Sequence, residues 1–280
     1  MVTHVISIQS QVAYGHVGNS AAVFPMQAKG LEVAAVPTTL LSNHPHYDSF
    51  HGRVLDAELV EGLLVGLEER GVVAEANTIL TGYLGSTQIG EVVARFLTRA
   101  RAAHPHLRFV CDPVMGDDDL GMFVQPGLID LFRDRLTPMA DVITPNRYEV
   151  ELLAGHECRT ERELARAMAA LHARGTRAVV VTGCALDDTP AGMVETILWQ
   201  DGALHRTPVA RLPIRPCGTG DLFTALMVAR LSGGSNLREA VAGATQEIHG
   251  VLRRTEEAGA EEMRISGYPF EPVTPIGLTA

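Results

Sequence analysis

Short apolar runs recur along the chain, each ending on a polar or glycine-containing turn, and stretches with helical spacing of apolar residues lie between them. The first run, residues 4–10, carries Val5, Ile6 and Ile8 and predicts a buried strand. Residues 31–36, 77–83, 107–111, 141–144 and 178–181 repeat the pattern. Helical spacing predicts elements over 21–26, 56–70 (Leu59, Leu63, Leu64, Leu67), 89–102, 150–153, 161–173 and 237–253. A further helix is predicted from Leu222 onward, where Phe223, Ala225, Leu226, Val228, Ala229 and Leu231 follow at apolar positions. Residues 194–200 and 203–212 flank Asp201-Gly202 and predict a hairpin. Strands alternating with helices imply an α/β fold with a mostly parallel central sheet and helices on both faces. No repeat, low-complexity stretch or linker divides the sequence, so one domain over 1–280 is expected, with an irregular tail over 266–280 where Pro and Gly concentrate.

Composition narrows the partners. The 280 residues are 46% hydrophobic and 20% charged, with a formal net charge of −10. That acidity argues against a nucleic-acid backbone or an anionic membrane surface as partner. It is compatible with ATP, because a divalent cation screens the phosphates. Lys29 is the single lysine, so at any other position a phosphate contact falls to arginine or to backbone N–H groups. Cys111, Cys158, Cys184 and Cys217 are scattered without C-x-x-C spacing, which indicates neither a zinc site nor a disulfide framework. The sequence begins without a basic segment followed by an apolar one and contains no run long enough to span a bilayer. A cytoplasmic protein with reduced thiols is expected.

The chemistry centres on Gly218-Thr219-Gly220-Asp221, which opens the predicted helix at Leu222. A helix start presents unpaired N–H groups and partial positive charge, and glycines let the backbone close on an anion. Asp221 adds a carboxylate beside that anion site. It fits a base that accepts a proton from an attacking hydroxyl in phosphoryl transfer, or alternatively a simple helix cap. At the same helix start, the thiolate form of Cys217 is expected to be favoured. Ser10, Tyr83, Asp112, Asp117, Asn146 with Glu149, and Thr182 all fall near carboxyl ends of predicted strands, the edge where open α/β sheets bind ligands. Ser10 reads as a substrate contact or as a turn hydrogen-bonder. The polar, aromatic stretch 42–47 reads as a pocket wall, and the acidic stretch 117–122 as a solvated loop or a lid. Asp112, Asp117 and Glu149 are hard oxygen donors of the kind magnesium takes; singly, each would be a turn or cap residue.

Several blocks together carry a resemblance over almost the whole chain. They are Ser10-Gln11-Val12 with Tyr14-Gly15-His16-Val17-Gly18-Asn19, Ser42-Asn43-His44, Gly82-Tyr83-Leu84-Gly85, Cys111-Asp112-Pro113-Val114-Met115-Gly116, Thr144-Pro145-Asn146 with Glu149, and Gly218-Thr219-Gly220-Asp221. The chain resembles the pyridoxal kinases of the ribokinase-like superfamily. The resemblance implies ATP-dependent phosphorylation of the 5′-hydroxymethyl group of pyridoxal, with pyridoxine and pyridoxamine as further vitamers. It implies Mg2+, a monovalent cation such as K+, and a homodimer. Ser10, Val17, His46, Tyr83 and Asp221 would contact the vitamer. Asp112, Thr144, Asn146, Glu149, Thr182 and the run Arg206, Thr207, Pro208 and Val209 would border ATP. Asp112, Asp117 and Glu149 would hold metal, Gly218, Thr219 and Gly220 would form the anion hole, and Asp221 would be the base.

Some positions depart from the family pattern: Pro45 stands where a threonine is common and offers neither hydroxyl nor N–H, and Phe50 replaces a tryptophan. Thr182 stands where some bacterial members carry lysine. Two rivals remain at this stage. One is a hydroxymethylpyrimidine kinase, though those enzymes usually carry cysteine at the position of Asp221. The other is a vitamin B6-binding protein of negligible turnover.

Overall fold

The computed structural model describes residues 4–273. Its centre is a nine-stranded sheet built from β1 (His4–Val12), β2 (Glu32–Leu41), β3 (Gly52–Val54), β4 (Ala76–Thr81), β5 (Arg108–Cys111), β8 (Val142–Ile143), β9 (Ala178–Cys184), β10 (Met193–Gln200) and β11 (Ala203–Ala210). A small ribbon, β6 (Gly116–Asp117) with β7 (Gly121–Met122), stands apart. The strand order is β11-β10-β9-β8-β5-β4-β1-β2-β3. Six neighbouring strands, β9 to β2 in that order, run parallel; β3 at one end and the β10–β11 hairpin at the other are antiparallel.

Alternation along each strand explains the two layers that cover the sheet. Ile6, Ile8, Ile79, Phe109, Ile143, Val179, Val181 and Ile197 point to one face. There they meet α2 (Ala57–Glu69), α3 (Val72–Glu75), α4 (Thr87–Ala103), α5 (Pro126–Leu131), α7 (Arg147–Ala154) and α8 (Glu161–Ala173). Val5, Leu80, Val110, Val142, Val180 and Leu198 point the other way, onto α1 (Asn19–Ala28), α9 (Thr219–Ser232) and α10 (Leu237–Glu257). Helix α9 is buried along most of its length, as its apolar run predicts.

Three stretches show more than the sequence reading announces. Residues 126–139 form α5, a π-helical turn over Phe132–Leu136, and α6 (Thr137–Met139), none of which periodicity announces. The π turn breaks the 3.6-residue repeat, and Pro126 and Pro138 read as breakers although each sits in a helical first turn. The stretch 117–122 is the turn of the β6–β7 ribbon, held by Asp117 Oδ1, which accepts from the N–H groups of Asp119 and Leu120. Residues 266–273 lack helix and strand, as expected, but they are docked. Phe270 is buried against the α1–α9–α10 layer, and the Val273 N–H donates to the Lys29 carbonyl. The rest of the expected tail, 274–280, lies outside the described residues.

Lys29 is among the largest fully buried side chains of the described residues. Its ammonium stands 2.6 Å from Glu247 and donates to the Glu271 carbonyl, tying α1, α10 and the C-terminal segment together. This single lysine is spent on these structural contacts.

Candidate active site

The chain builds β1, β2 and β3 outward to one side, then returns to β4 on the opposite side of β1 and continues through β5, β8 and β9. That reversal makes β1/β4 a topological switch point, where the carboxyl edge opens a crevice. Ser10 at the end of β1, Tyr83 after β4, Asp112 after β5, Thr144 and Asn146 after β8, and Thr182 near the end of β9 therefore line one edge. The Asn146–Thr182 bridge, with the Thr182 N–H donating to the Pro145 carbonyl, continues the pairing of β8 and β9 up to that edge.

The start of α9 meets this edge. Gly218 caps the helix with φ 79° and ψ 12°, no side chain caps it, and the Leu222 N–H already bonds the Gly218 carbonyl. Thr219, Gly220 and Asp221 are thus the residues whose N–H groups are free for an anion. A Cβ on Gly218 would lie 1.8 Å from the His16 carbonyl oxygen and 3.1 Å from Val17 Cα, so only glycine lets the β1–α1 loop close on the helix. At Gly220 the Cβ position is 3.7 Å from Asp112 Oδ2, which brings the Asp112 carboxylate against the anion turn.

Asp112, Glu149 and Asp221 form a cluster of carboxylates in the same place. Burial, then Glu149 and Asp221, push Asp112 well above the usual carboxylate range, while a hydrogen bond with Thr144 opposes the shift. Thr144 Oγ1 in turn accepts from Thr224 of α9 at 2.9 Å. Burial pushes Glu149 up to about 8 against the pull of the Met115, Asn146 and Gly116 N–H groups. Asp221, part-exposed at the cleft but densely surrounded, is pushed up to about 6 by burial, opposed by the Gly18 N–H. Asp221 faces the β1–α1 loop and does not cap its own helix, which removes the alternative reading of this residue.

Glu149 is already committed. Its two oxygens accept from Met115 N at 2.8 Å and Asn146 N at 2.8 Å, and it completes a capping box with Asn146 at the start of α7. Asn146 Nδ2 donates to the Gly116 carbonyl, so the same residues anchor the β6–β7 ribbon to the site. Asp117 is near enough to raise both Glu149 and Cys217, though one of its oxygens holds its own turn. Of the three expected metal ligands, Asp112, Asp117 and Glu149, Asp112 is therefore the one with the fewest protein partners.

The donor set fits a hard divalent cation: carboxylates crowd together with no lysine or arginine bridging them, and such a cluster is costly to ionise without a counter-charge. The sign of that cost is testable. A carboxyl whose value rises on folding adds stability below its ordinary range and loses it as pH rises through the folded value, here about 6 for Asp221 and about 8 for Glu149. Asp112→Asn should therefore raise the melting temperature in magnesium-free buffer by about 2–6 °C at pH 8 and by less at pH 5.5. Scanning calorimetry at the two pH values reads this directly; an equal or opposite shift would mean that the cluster is not strained.

The hairpin at the far end delivers the remaining predicted residues. Glu195 pairs with both Cys184 and Pro208, so Pro208 and Val209 stand level with the end of β9, separated from it by β10. Arg206 is one step below and is engaged by acids: Nε lies 3.0 Å from Glu195, and the two terminal nitrogens reach Asp188 and Glu161. Its guanidinium holds the hairpin to α8 and is not free for a phosphate. A groove of about 340 Å3 between β11 and α10 is lined by Arg206, Thr207, His205 and Arg238.

On the opposite flank, residues 42–51 close on themselves through Ser42 and Asn43, whose Nδ2 donates to the Ser49 carbonyl. Pro45 and His46 are exposed and Phe50 is 47% exposed, so none of the three buries as a pocket floor. His46 Nδ1 instead approaches Cys217 Sγ at 2.8 Å. The favoured thiolate expected at Cys217 is overturned: burial first, then Glu262, Asp117 and Asp221, push its thiol up to about 12.

Sequence reasoning missed Glu262 altogether. Its carboxylate takes His44 Nε2 and the Tyr47 hydroxyl at 2.8 Å each and the His16 N–H at 3.1 Å, pinning the C-terminal segment across the β1–α1 loop and the 42–47 wall. Glu262 lies in an irregular segment 218 residues from His44, with no local motif to mark it.

Residues 38–266 match the family described as phosphomethylpyrimidine kinase, the ribokinase-like class of kinases that this sheet edge and helix start define. Curated relatives include pyridoxal kinase PdxY of Granulibacter bethesdensis, 39% identical over 97% of this chain and 96% of that protein. Pyridoxal kinase PdxY of Rubrobacter xylanophilus is 42% identical over 97% and 94%. Among solved structures, pyridoxal kinase from Leishmania donovani in complex with ADP and pyridoxine superposes with a TM-score of 0.87, at 32% identity over 95% of this chain and 94% of that one. The chain belongs to the pyridoxal kinase family.

Proposed function

We propose that this protein is an ATP-dependent kinase that phosphorylates the 5′-hydroxymethyl group of pyridoxal, supplying pyridoxal 5′-phosphate in vitamin B6 salvage. The observation that carries the reading is the juxtaposition of an uncapped, glycine-lined helix start with Asp221 and Asp112 at the switch-point edge. An intact Asp221 argues against the hydroxymethylpyrimidine rival, and an open anion turn argues against a protein that only binds the vitamer.

In this reading the vitamer lies between Ser10, Val17 and Tyr83, with His46 at the mouth, and its 5′-hydroxyl faces Asp221. Asp221 accepts the proton as the oxygen attacks phosphorus. The N–H groups of Thr219, Gly220 and Asp221 bind the equatorial oxygens of the transferring phosphoryl group, where negative charge is concentrated. Asp112 would hold magnesium, with Glu149 and Asn146 orienting that side and Asp117 beside them. Magnesium, when bound, neutralises phosphate charge and the acid cluster together. Thr144, Thr182 and residues 207–209 border the nucleotide, with the neighbouring groove on its outer side; Arg206 supports that strand from behind. A monovalent cation, a cytoplasmic setting, a single catalytic domain over the chain and a homodimer complete the proposal. Exposed Leu59 and Leu63, one turn apart on α2, offer an apolar stripe for such a dimer, and sedimentation analysis tests it. Among the described residues no helix is long and apolar enough to cross a membrane.

Release of ADP measured with pyridoxal, pyridoxine, pyridoxamine and hydroxymethylpyrimidine tests the reading. Turnover with a B6 vitamer supports it, preference for the pyrimidine favours the first rival, and binding without turnover favours the second. Glu149→Gln should raise the magnesium concentration for half-maximal rate about tenfold or more, the range for groups that orient metal ligands. A lowered melting temperature with unchanged magnesium dependence would reduce Glu149 to a helix cap.

A further inference from the structure

His44, His46 and Cys217 come from two separated segments, the 42–51 loop and the approach to α9, yet one donor atom from each lies within 4.8 Å of the others. No local spacing in the sequence foretells this, because Cys217 is 171 residues from His46. Two independent features distinguish the cluster from a chance meeting.

The first is the state of His44. Its Nε2 lies 2.8 Å from a Glu262 oxygen, and a carboxylate can only accept, so Nε2 carries the proton. In the neutral imidazole Nδ1 is then a bare lone pair, and among the described residues this buried atom has no hydrogen-bond partner. The residue is only 8% exposed, so the unpaired nitrogen is costly unless something takes it. A histidine with one nitrogen on a carboxylate and the other free is the arrangement that metal-binding histidines use, the carboxylate fixing tautomer and ring orientation. Tyr47 stacks on the His44 ring at a centroid distance of 4.7 Å and also bonds Glu262, which fixes the ring further.

The second is the spacing of the other two donors. His46 Nδ1 and Cys217 Sγ stand 2.8 Å apart, closer than an S–H···N hydrogen bond requires. Around a tetrahedral zinc ion, with Zn–S of about 2.3 Å and Zn–N of about 2.0–2.1 Å, neighbouring donors stand roughly 3.5 Å apart. Here one pair stands at 2.8 Å and all three donors lie within 4.8 Å of one another, so a shift of under about 1 Å at this pair reaches that spacing, and His46 is exposed and free to adjust.

We propose that His44, His46 and Cys217 form a binding site for a borderline-soft divalent transition-metal ion, with zinc as the model occupant and an open fourth position toward the crevice. Two nitrogens and a sulfur select zinc, cobalt or copper over magnesium, so the site is chemically distinct from the carboxylate cluster. An ion there would lock the 42–51 loop onto the start of α9. Where the kinase reading holds, that loop carries a vitamer contact, and occupancy would obstruct the vitamer and inhibit. Binding itself does not depend on that reading.

The test uses the full chain without an affinity tag, in millimolar magnesium to satisfy the carboxylates. Cobalt(II) is titrated while absorption is followed. One equivalent should develop a sulfur-to-cobalt charge-transfer band with intense tetrahedral d–d bands, and zinc should abolish both. Cys217→Ala should lose the charge-transfer band, and His44→Gln should weaken binding at least tenfold. Absence of the band, or a band unchanged in Cys217→Ala, overturns the site. Cobalt binding without sulfur character, retained in Cys217→Ala, assigns the ion to the carboxylates and also overturns it. In a separate arm, micromolar zinc should raise the KM for pyridoxal in the parent but not in Cys217→Ala. No turnover at all in the parent would count against the kinase reading alone, since the spectroscopic arm stands without it.

Discussion

Replacement of Asp221 by asparagine lowers kcat by roughly two to four orders of magnitude while leaving the fold and ligand binding in place, the range expected when a positioned general base is removed. Asparagine preserves shape and the contact to the Gly18 N–H, so the loss isolates the proton acceptor. The parent should also show kcat rising with pH through about 6, because Asp221 accepts a proton only when ionised and burial holds its value there. That limb should vanish in the variant. Steady-state rates from pH 5 to 8, with vitamer affinity measured alongside, check both outcomes. Near-normal turnover in Asp221→Asn would require another base.

Gly218→Ala should be nearly as damaging, by a different route. The new Cβ falls 1.8 Å from the His16 carbonyl oxygen at a backbone φ of 79°, and both opposing atoms belong to main chain. Either the β1–α1 loop or the start of α9 has to move by more than an ångström. Displacement on that scale costs about a hundredfold in rate when it separates aligned groups. Because α9 is anchored along its buried length, the loop should move, carrying Val17 away from the crevice. We expect kcat/KM to fall at least a hundredfold with the melting temperature lowered by only a few degrees. A variant of full activity would show that the turn does not position substrate.

How much of this was legible beforehand depends on how local each signal is. The α9 start reads well because its chemistry sits in four consecutive residues followed by an apolar run. Asn146 and Glu149 read well for the same reason, since a capping box is a three-residue spacing, although sequence could not tell a metal ligand from a cap whose two oxygens are already taken. Strands alternating with helices along the chain implied both helix layers. The helical stretch 126–139 did not read, because a π turn interrupts its repeat. Glu262 was illegible for a stronger reason: its partners His16, His44 and Tyr47 are more than 200 residues away, and only tertiary closure assembles them. Arg206, expected to border the nucleotide, instead has its charge engaged by Glu195, Asp188 and Glu161, partners that no local spacing announces. The thiol of Cys217 was misjudged because the helix start was weighed, while its burial and the nearby carboxylates, Glu262 and Asp117 from distant segments and Asp221 from the same turn, were not.

Phosphorus NMR of a reaction containing the protein, magnesium, ATP and pyridoxal tests the central claim most directly. The account predicts loss of the ATP γ-phosphate resonance, equimolar growth of ADP, and a new phosphate monoester whose coupling to two methylene protons places it on the 5′-oxygen. Hydrolysis of ATP to inorganic phosphate with pyridoxal unchanged, or no conversion at saturating pyridoxal, would contradict it.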